Sequence, residues 1–304
     1  MHLRSIFEKL IPEMTPSSEQ NPYTTLTAAR PNRLKRLVGG GEIAVGTLMS
    51  FDAPWLVEMF GMTGYDFVTI DLEHEPIDPA AVFHLVRAAE NVGMTAIVRM
   101  PASYAIYPML TTGAQGIWIP DLRSREHAEE IVQYTRHAPV GRRTYYTQTR
   151  AAQYGVGIDE SNWTSEADAE LLVVAMIEDI ALVDELDEIL AVDGIDGYHV
   201  GTLDLAQSMG SPPPEKLDEA VTEIVARCRT AGKLTSVGVV TPWAIDGVQK
   251  RVDQGVDILT VASAWMLTNA VGTFLEDIEK RIPDDRRTRT GRTPTPNQYV
   301  NPQK

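Results

Sequence analysis

The sequence predicts an α/β chain folded as a (β/α)8 TIM barrel, and three observations carry that expectation. From Glu42 onward, short apolar β-rich runs alternate with helix-periodic segments eight times, the pattern of a parallel sheet covered by helices. No antiparallel hairpin signal breaks the alternation, and no G-x-G-x-x-G follows the first strand, which disfavours an open dinucleotide-binding sheet. The 304 residues are long for one ordinary core but suit a barrel of about 250 residues with extensions.

Residues 1–41 read as an N-terminal extension. Leu3–Leu10 suits a short amphipathic helix, and Leu34–Val38 another, stopped by Gly39-Gly40-Gly41. Those glycines precede a strand instead of opening a helix, so they are not a phosphate cradle. The barrel is expected over 42–282. Its strands are Ile43–Met49, Phe67–Ile70, Thr95–Met100, Gly116–Pro120, Leu171–Ile177, Ile195–Val200, Thr235–Val240 and Val256–Val261. Each is a short apolar run, as buried parallel strands are. Asp52 caps a first helix with Pro54 in its first turn, ending near Gly61. Asp78-Pro79 opens a second, with Val82, Phe83, Leu85, Val86 and Ala89 at helical spacing and Gly93 as the stop. Further helices are expected at 125–136, 181–191, 215–230, 243–253 and 265–280. An insertion over 138–170, rich in Tyr, Arg and Thr, is long enough to be a lid or an interface loop. The arginine- and proline-bearing tail, 283–304, reads as a flexible extension.

Composition removes several functions. A net charge of −15 argues against a nucleic-acid surface, which needs a clustered basic face. One cysteine, Cys228, excludes an internal disulfide and a thiolate metal cluster. No apolar run approaches the ~20 residues of a membrane span, and the N-terminal residues lack a signal-peptide core. A cytoplasmic enzyme is the expectation.

The chemistry gathers at the predicted C-terminal ends of strands, where barrels build their sites. The second strand runs into Asp71-Leu72-Glu73-His74-Glu75, four ionisable residues within five positions. His74 has carboxylates on both sides and Asp71 three residues back, an arrangement able to orient an imidazole. The third strand ends on Arg99, the fourth before Asp121, the fifth before Glu178 and the sixth before Asp204. Two carboxylates without a cysteine or second histidine suit a hard divalent cation, Mg2+ or Mn2+. An arginine suits a carboxylate or an oxyanion beside it. Together with a proton-moving His74 they describe enolisation of a 2-oxo acid.

Val45-Gly46-Thr47, Ile70–Pro76, Val98-Arg99, Gly113–Gly116, Met176-Ile177-Glu178 and Asp196-Gly197-(x)3-Gly201-(x)2-Asp204-Leu205 follow one another in order. Over roughly 42–275 the chain thereby resembles the class II metal-dependent pyruvate aldolases, the 4-hydroxy-2-oxoheptanedioate and 2-dehydro-3-deoxyglucarate aldolase family that includes macrophomate synthase. The resemblance implies a barrel whose last helix is exchanged between subunits, in hexamers built as trimers of dimers. It implies a lyase that cleaves or forms a 4-hydroxy-2-oxo acid through a metal-bound pyruvate enolate. The ion would be Mg2+ or Mn2+, with Co2+ a further option, on Glu178 and Asp204. His74 would be catalytic with Asp71 orienting it, Arg99 would bind pyruvate, and Gly201, Thr202 and Leu203 would hold its carboxylate.

Three departures stand out. Thr202 replaces the family's proline after Gly201, the segment between Arg99 and Gly113 is about two residues short with Thr111 where an aspartate is usual, and Ala264 replaces the aspartate after Ser263. An oxaloacetate decarboxylase, or a bond-forming enzyme like macrophomate synthase, is therefore the alternative. An inactive homologue with a binding or assembly role is the reading from another class. Elsewhere, His84, His127 and His137 are expected to be structural or solvated near helix surfaces, and His199 to pack inside the barrel. Tyr145, Tyr146, Arg150 and Tyr154 suit a substrate mouth or a subunit interface, and Trp55 a pocket wall or core.

Overall fold

The computed structural model describes residues 29–238, 240–242, 245–283 and 286. The expected Leu3–Leu10 helix and nearly all of the basic tail lie outside them. Eight parallel strands close into a barrel in chain order, β1 (Ala44–Met49), β2 (Phe67–Asp71), β3 (Thr95–Arg99), β4 (Gly116–Ile119), β5 (Leu172–Ile177), β6 (Gly197–Val200), β7 (Leu234–Val237) and β8 (Ile258–Ala262), with β8 returning to β1. The helices are α1 (Arg33–Gly39), α2 (Pro54–Met62), α3 (Pro79–Asn91), α4 (Ile106–Thr111), α5 (Arg125–Thr135), α6 (Trp163–Glu170), α7 (Leu186–Leu190), α8 (Thr202–Ser208), α9 (Pro214–Thr230), α10 (Asp246–Asp253) and α11 (Ser263–Glu279). Among the described residues no helix is long and apolar enough to cross a membrane.

Two apolar clusters follow from strand alternation. Residues pointing outward, such as Val68, Ile70, Val98, Ile117, Val173 and Ala175, pack under the helices. Inward residues Phe67, Ile97, Trp118, Leu172, Val174 and Met176 fill the barrel. Continuing the same period of two carries β2 inward to Asp71, β3 to Arg99 and β5 to Glu178, so polar side chains form the topmost inward layer.

The lower mouth is plugged by α1, whose Leu34 is fully buried within the inner cluster. Asn32 caps that helix through Lys35 N–H (3.3 Å), and its side-chain amide donates to the Gln115 and Glu170 carbonyls (both 2.9 Å). The segment before β1 is thus welded to the barrel, which its irregular sequence does not announce.

Two elements differ from expectation. β7 ends at Val237, three residues early, because Gly238 adopts φ +50°. The helix expected over 181–191 is a 3-10 turn, Ile180–Val183, followed by the short α7; Asp184 and Glu188 at i,i+4 oppose a continuous helix.

Candidate active site

Strand pairing assembles the site. Asp71 and Arg99 are register partners on β2 and β3, and Asp71 accepts from Arg99 Nε at 2.9 Å and Nη2 at 2.5 Å. Its Oδ1 also takes the backbone N–H groups of Glu73 (3.0 Å) and His74 (3.4 Å). Burial opposes its charge, yet the guanidinium and the two N–H donors hold the carboxyl below its usual range. A bidentate carboxylate pair of this kind fixes a guanidinium in plane.

The sequence assigns Asp71 to His74; the structure gives it to Arg99. Asp71 Oδ2 stands 3.9 Å from His74 Nδ1, too long for a hydrogen bond. The ring nitrogen instead faces Arg99 Nη2 at 2.9 Å. A guanidinium only donates, so Nδ1 is the acceptor and Nε2 is the nitrogen left for other partners. The imidazole is 62% exposed at the mouth.

Glu73 is the residue that sequence reasoning left without a role. Its Oε2 is buried without a hydrogen-bond partner among the described residues, 3.4 Å from His74 Nδ1 and 3.3 Å from Arg99 Nε. Burial raises its pKa, Arg99 and His74 counteract, and Asp71 and Asp204 add to the rise. Asp71, Glu73 and His74 offer ligand atoms within 4.8 Å of one another, a spacing open to a cation. Arg99 already occupies Asp71, so this triad is a poorer metal cradle than its spacing alone suggests.

Glu178, just past β5, lies across the barrel. Burial pushes its carboxyl up to about 7, with Asp204 and Glu73 adding and the Asp121 N–H and Arg99 opposing. Asp121 N donates to Glu178 Oε2 at 2.7 Å from a left-handed backbone (φ +53°) while its own side chain stays exposed. A main-chain donor of this sort has no side-chain signature in a sequence. Gly201 makes room for Glu178, since a Cβ there would come within 2.6 Å of its Cγ and Oε1. Asp204 sits in the first turn of α8, whose opening N–H groups, Thr202 and Leu203, have no intrahelical acceptor. Thr202 is in turn packed close to Gly238.

Beneath this layer His199 stacks edge-on against Trp118 (4.9 Å) and meets Ser236 Oγ at 3.0 Å. Burial, with Arg99 adding, holds its pKa down at about 3, so it is a neutral packing residue. His84 is exposed, whereas His127 and His137 are buried instead of surface-lying, His137 on Asp168 at 2.6 Å. Trp55 is 62% exposed and so is not core. The 138–170 insertion is not at the mouth. Arg150 pairs with Glu90 and donates to the Thr112 carbonyl (3.0 Å), ahead of β4 and so at the strands' amino-terminal end.

Comparison with known proteins bears on the family and the fold. Residues 47–267 match the family described as HpcH/HpaI aldolase/citrate lyase. A hydroxypyruvate/pyruvate aldolase of Roseovarius nubinhibens is 31% identical over 241 residues, covering 77% of this chain and 91% of that one. A 2-keto-3-deoxy-L-rhamnonate aldolase of Escherichia coli K12 is 29% identical over 80% of this chain and 91% of its own. The crystal structure of citrate synthase SbnG matches with a TM-score of 0.72 at 29% identity, over 82% of this chain and 98% of that one.

Proposed function

The chain belongs to the HpcH/HpaI aldolase/citrate lyase family and is a carbon–carbon lyase, and from that premise we propose that it cleaves or forms a 4-hydroxy-2-oxo acid, with pyruvate as the common fragment. The observation that carries the reading is the upper layer of the barrel: one arginine and one histidine faced by three carboxylates (Glu73, Glu178, Asp204) that the chain does not fully neutralise.

That imbalance fits a divalent cation. A carboxyl held near 7 by burial and by two neighbouring carboxylates is relieved by a positive charge, and an all-oxygen donor set suits Mg2+ or Mn2+. Glu178 and Asp204 would hold it. When bound, such an ion supplies Lewis acidity toward a 2-oxo carbonyl.

The chain's own groups do the rest. Arg99, held flat by Asp71, offers its donors to the developing enolate oxygen or the substrate carboxylate. Thr202 and Leu203 N–H groups receive the other anionic end. His74 moves the proton. As substrate draws Arg99 away from Nδ1, the solvent-exposed ring exchanges its Nε2 proton for one on Nδ1, which Glu73 at 3.4 Å is placed to accept, and Nε2 is then free to face the mouth as the base. Decarboxylation of oxaloacetate, or bond formation as the name of the SbnG relative denotes, would use the same enolate-stabilising layer, and Ala264 favours keeping that second reading.

Self-association is part of the proposal. α11 packs on β1 and β8 yet leaves Val271 67% and Phe274 68% exposed, an apolar face suited to a second copy of the chain, in the expected hexamer. Light scattering after gel filtration measures this directly.

Pyruvate release from oxaloacetate and from a racemic 4-hydroxy-2-oxo acid, with Mg2+ or Mn2+ and after chelation, tests the function. Metal-dependent cleavage of both is expected. Decarboxylation without cleavage would favour the second reading, and turnover of neither would sink both.

A further inference from the structure

A cavity of about 620 Å³ lies at the end of the barrel opposite the carboxylate layer, bounded by the turn before β4 and by the 138–170 insertion with its helix α6. Its walls are mostly apolar, with Leu110, Ala114, Val156 and Trp163 among them, and arginines project into it. Their partners are unequal. Arg30 and Arg150 both pair with Glu90. Glu170, also in the wall, accepts the Asn32 N–H at 2.5 Å.

Arg143 is different. Its backbone N–H is tied to the Arg136 carbonyl (2.9 Å), but its guanidinium has no hydrogen-bond or ion-pair partner among the described residues. The nearest attractive charge, Asp168, is already engaged by the His137 backbone N–H (2.8 Å) and Nδ1 (2.6 Å). Arg136 adds repulsion, and loss of water around Arg143 drives its pKa down to about 10, still charged at neutral pH. A half-buried guanidinium that lines a roomy, apolar-walled space with no hydrogen-bond or ion-pair partner among the described residues is the natural partner of a carboxylate. The wall is shaped by strained backbone, since Gln153 and Tyr154 both have positive φ (51° and 58°), a conformation non-glycine residues hold only when the surroundings impose it.

We propose that this cavity is a binding site for a small organic anion, a carboxylate with an apolar body, its charge on Arg143 and its body against Trp163 and Leu110. The volume falls in the range of small-molecule pockets, and the site is separate from the upper carboxylate layer. A 2-oxo acid of the reaction is small and polar throughout, so the occupant is chemically distinct from the substrate.

The probe is 2-naphthoate, with uncharged 2-naphthamide as control, titrated calorimetrically into the full chain at pH 7.5. Naphthoate should bind once per chain and the amide at least tenfold more weakly. Arg143→Gln should weaken naphthoate about tenfold or more, whereas Glu178→Gln, at the other end, should leave it unchanged. Should Arg143→Gln fail to fold by circular dichroism, Ala167→Phe fills the cavity with Arg143 in place and should abolish binding. Equal binding of acid and amide, insensitivity to both cavity variants, or loss in Glu178→Gln would each overturn the assignment. So would a Kd weaker than about 1 mM.

Discussion

The carboxylates at the two ends of this barrel live under opposite rules. At the lower end, Asp66, Asp196 and Asp257 each stand immediately before a strand and accept a backbone N–H from the neighbouring one, Val45 (3.0 Å), Val173 (2.7 Å) and Thr235 (2.8 Å). Each also has a cation: Arg33 at 2.8 Å, Lys35 at 3.0 Å with Arg136 at 2.7 Å, and Arg229 at 3.6 Å. At the upper end only Asp71 is so treated. Glu73 has Arg99 at 3.3 Å but no backbone N–H, and its buried Oε2 has no hydrogen bond among the described residues; Glu178 has the Asp121 N–H but no ion pair among them and is pushed up to about 7. Satisfied carboxylates staple strand to strand, while unsatisfied ones leave a place for a ligand, consistent with the division between the stabilising and catalytic faces of barrels.

The sharpest way to break the contrast is Glu178→Gln. It removes the charge while keeping the shape, and it should lower pyruvate-forming turnover by about 10³-fold, roughly 4 kcal/mol, without loss of thermal stability. Unchanged metal affinity and turnover would remove Glu178 from the site. Asp196→Asn is the mirror image. It replaces an acceptor with a donor facing the buried Arg136, so chemical denaturation should show a loss of about 3 kcal/mol, with turnover per folded molecule unchanged. A fall in turnover at constant stability would mean that the two ends are not independent.

The barrel itself was legible because eight apolar runs and their helical spacers are local patterns. The upper layer was legible for the same reason, since each of Asp71, Arg99 and Glu178 closes a strand. What the sequence could not supply was pairing. That Arg99 takes Asp71 away from His74 follows from register between β2 and β3, a non-local fact. The donor on Glu178 comes from Asp121's main chain, which carries no residue signature. The Tyr- and Arg-rich insertion suggested a lid by composition, but Arg150's choice of Glu90 and the turn at Thr112 takes it to the lower end. Arg143, whose guanidinium has no hydrogen-bond or ion-pair partner among the described residues, had no pattern to betray it.

The contrast also has a pH signature. In the folded, chelated protein Glu178 keeps its proton up to about 7, whereas the unfolded chain loses it near 4.5. Between those values the folded state binds more protons, so stability falls as pH rises through that window. Because the upper layer is partly open to solvent, the drift should be about 1–2 kcal/mol, read from urea midpoints at pH 5 and pH 8. Divalent metal should suppress it and Glu178→Gln should abolish it. A flat profile would mean that the carboxylates are neutralised within the chain, erasing the difference between the two ends.

Gly201→Ala separates position from charge. The added Cβ would sit within 2.6 Å of the Glu178 side chain, and the backbone there (φ −76°) accepts alanine without strain. Every charge of the upper layer survives, so if electrostatic imbalance alone made the site, turnover at saturating metal would be unaffected. If the carboxylate must stand where Gly201 admits it, the displaced side chain should cost about tenfold, close to 1.4 kcal/mol, and shift the metal concentration for half-activation upward. A tenfold loss that excess metal restores would assign Gly201 to holding the cation's ligand in place. A loss that metal does not restore would assign it to the path taken by the substrate carboxylate over α8.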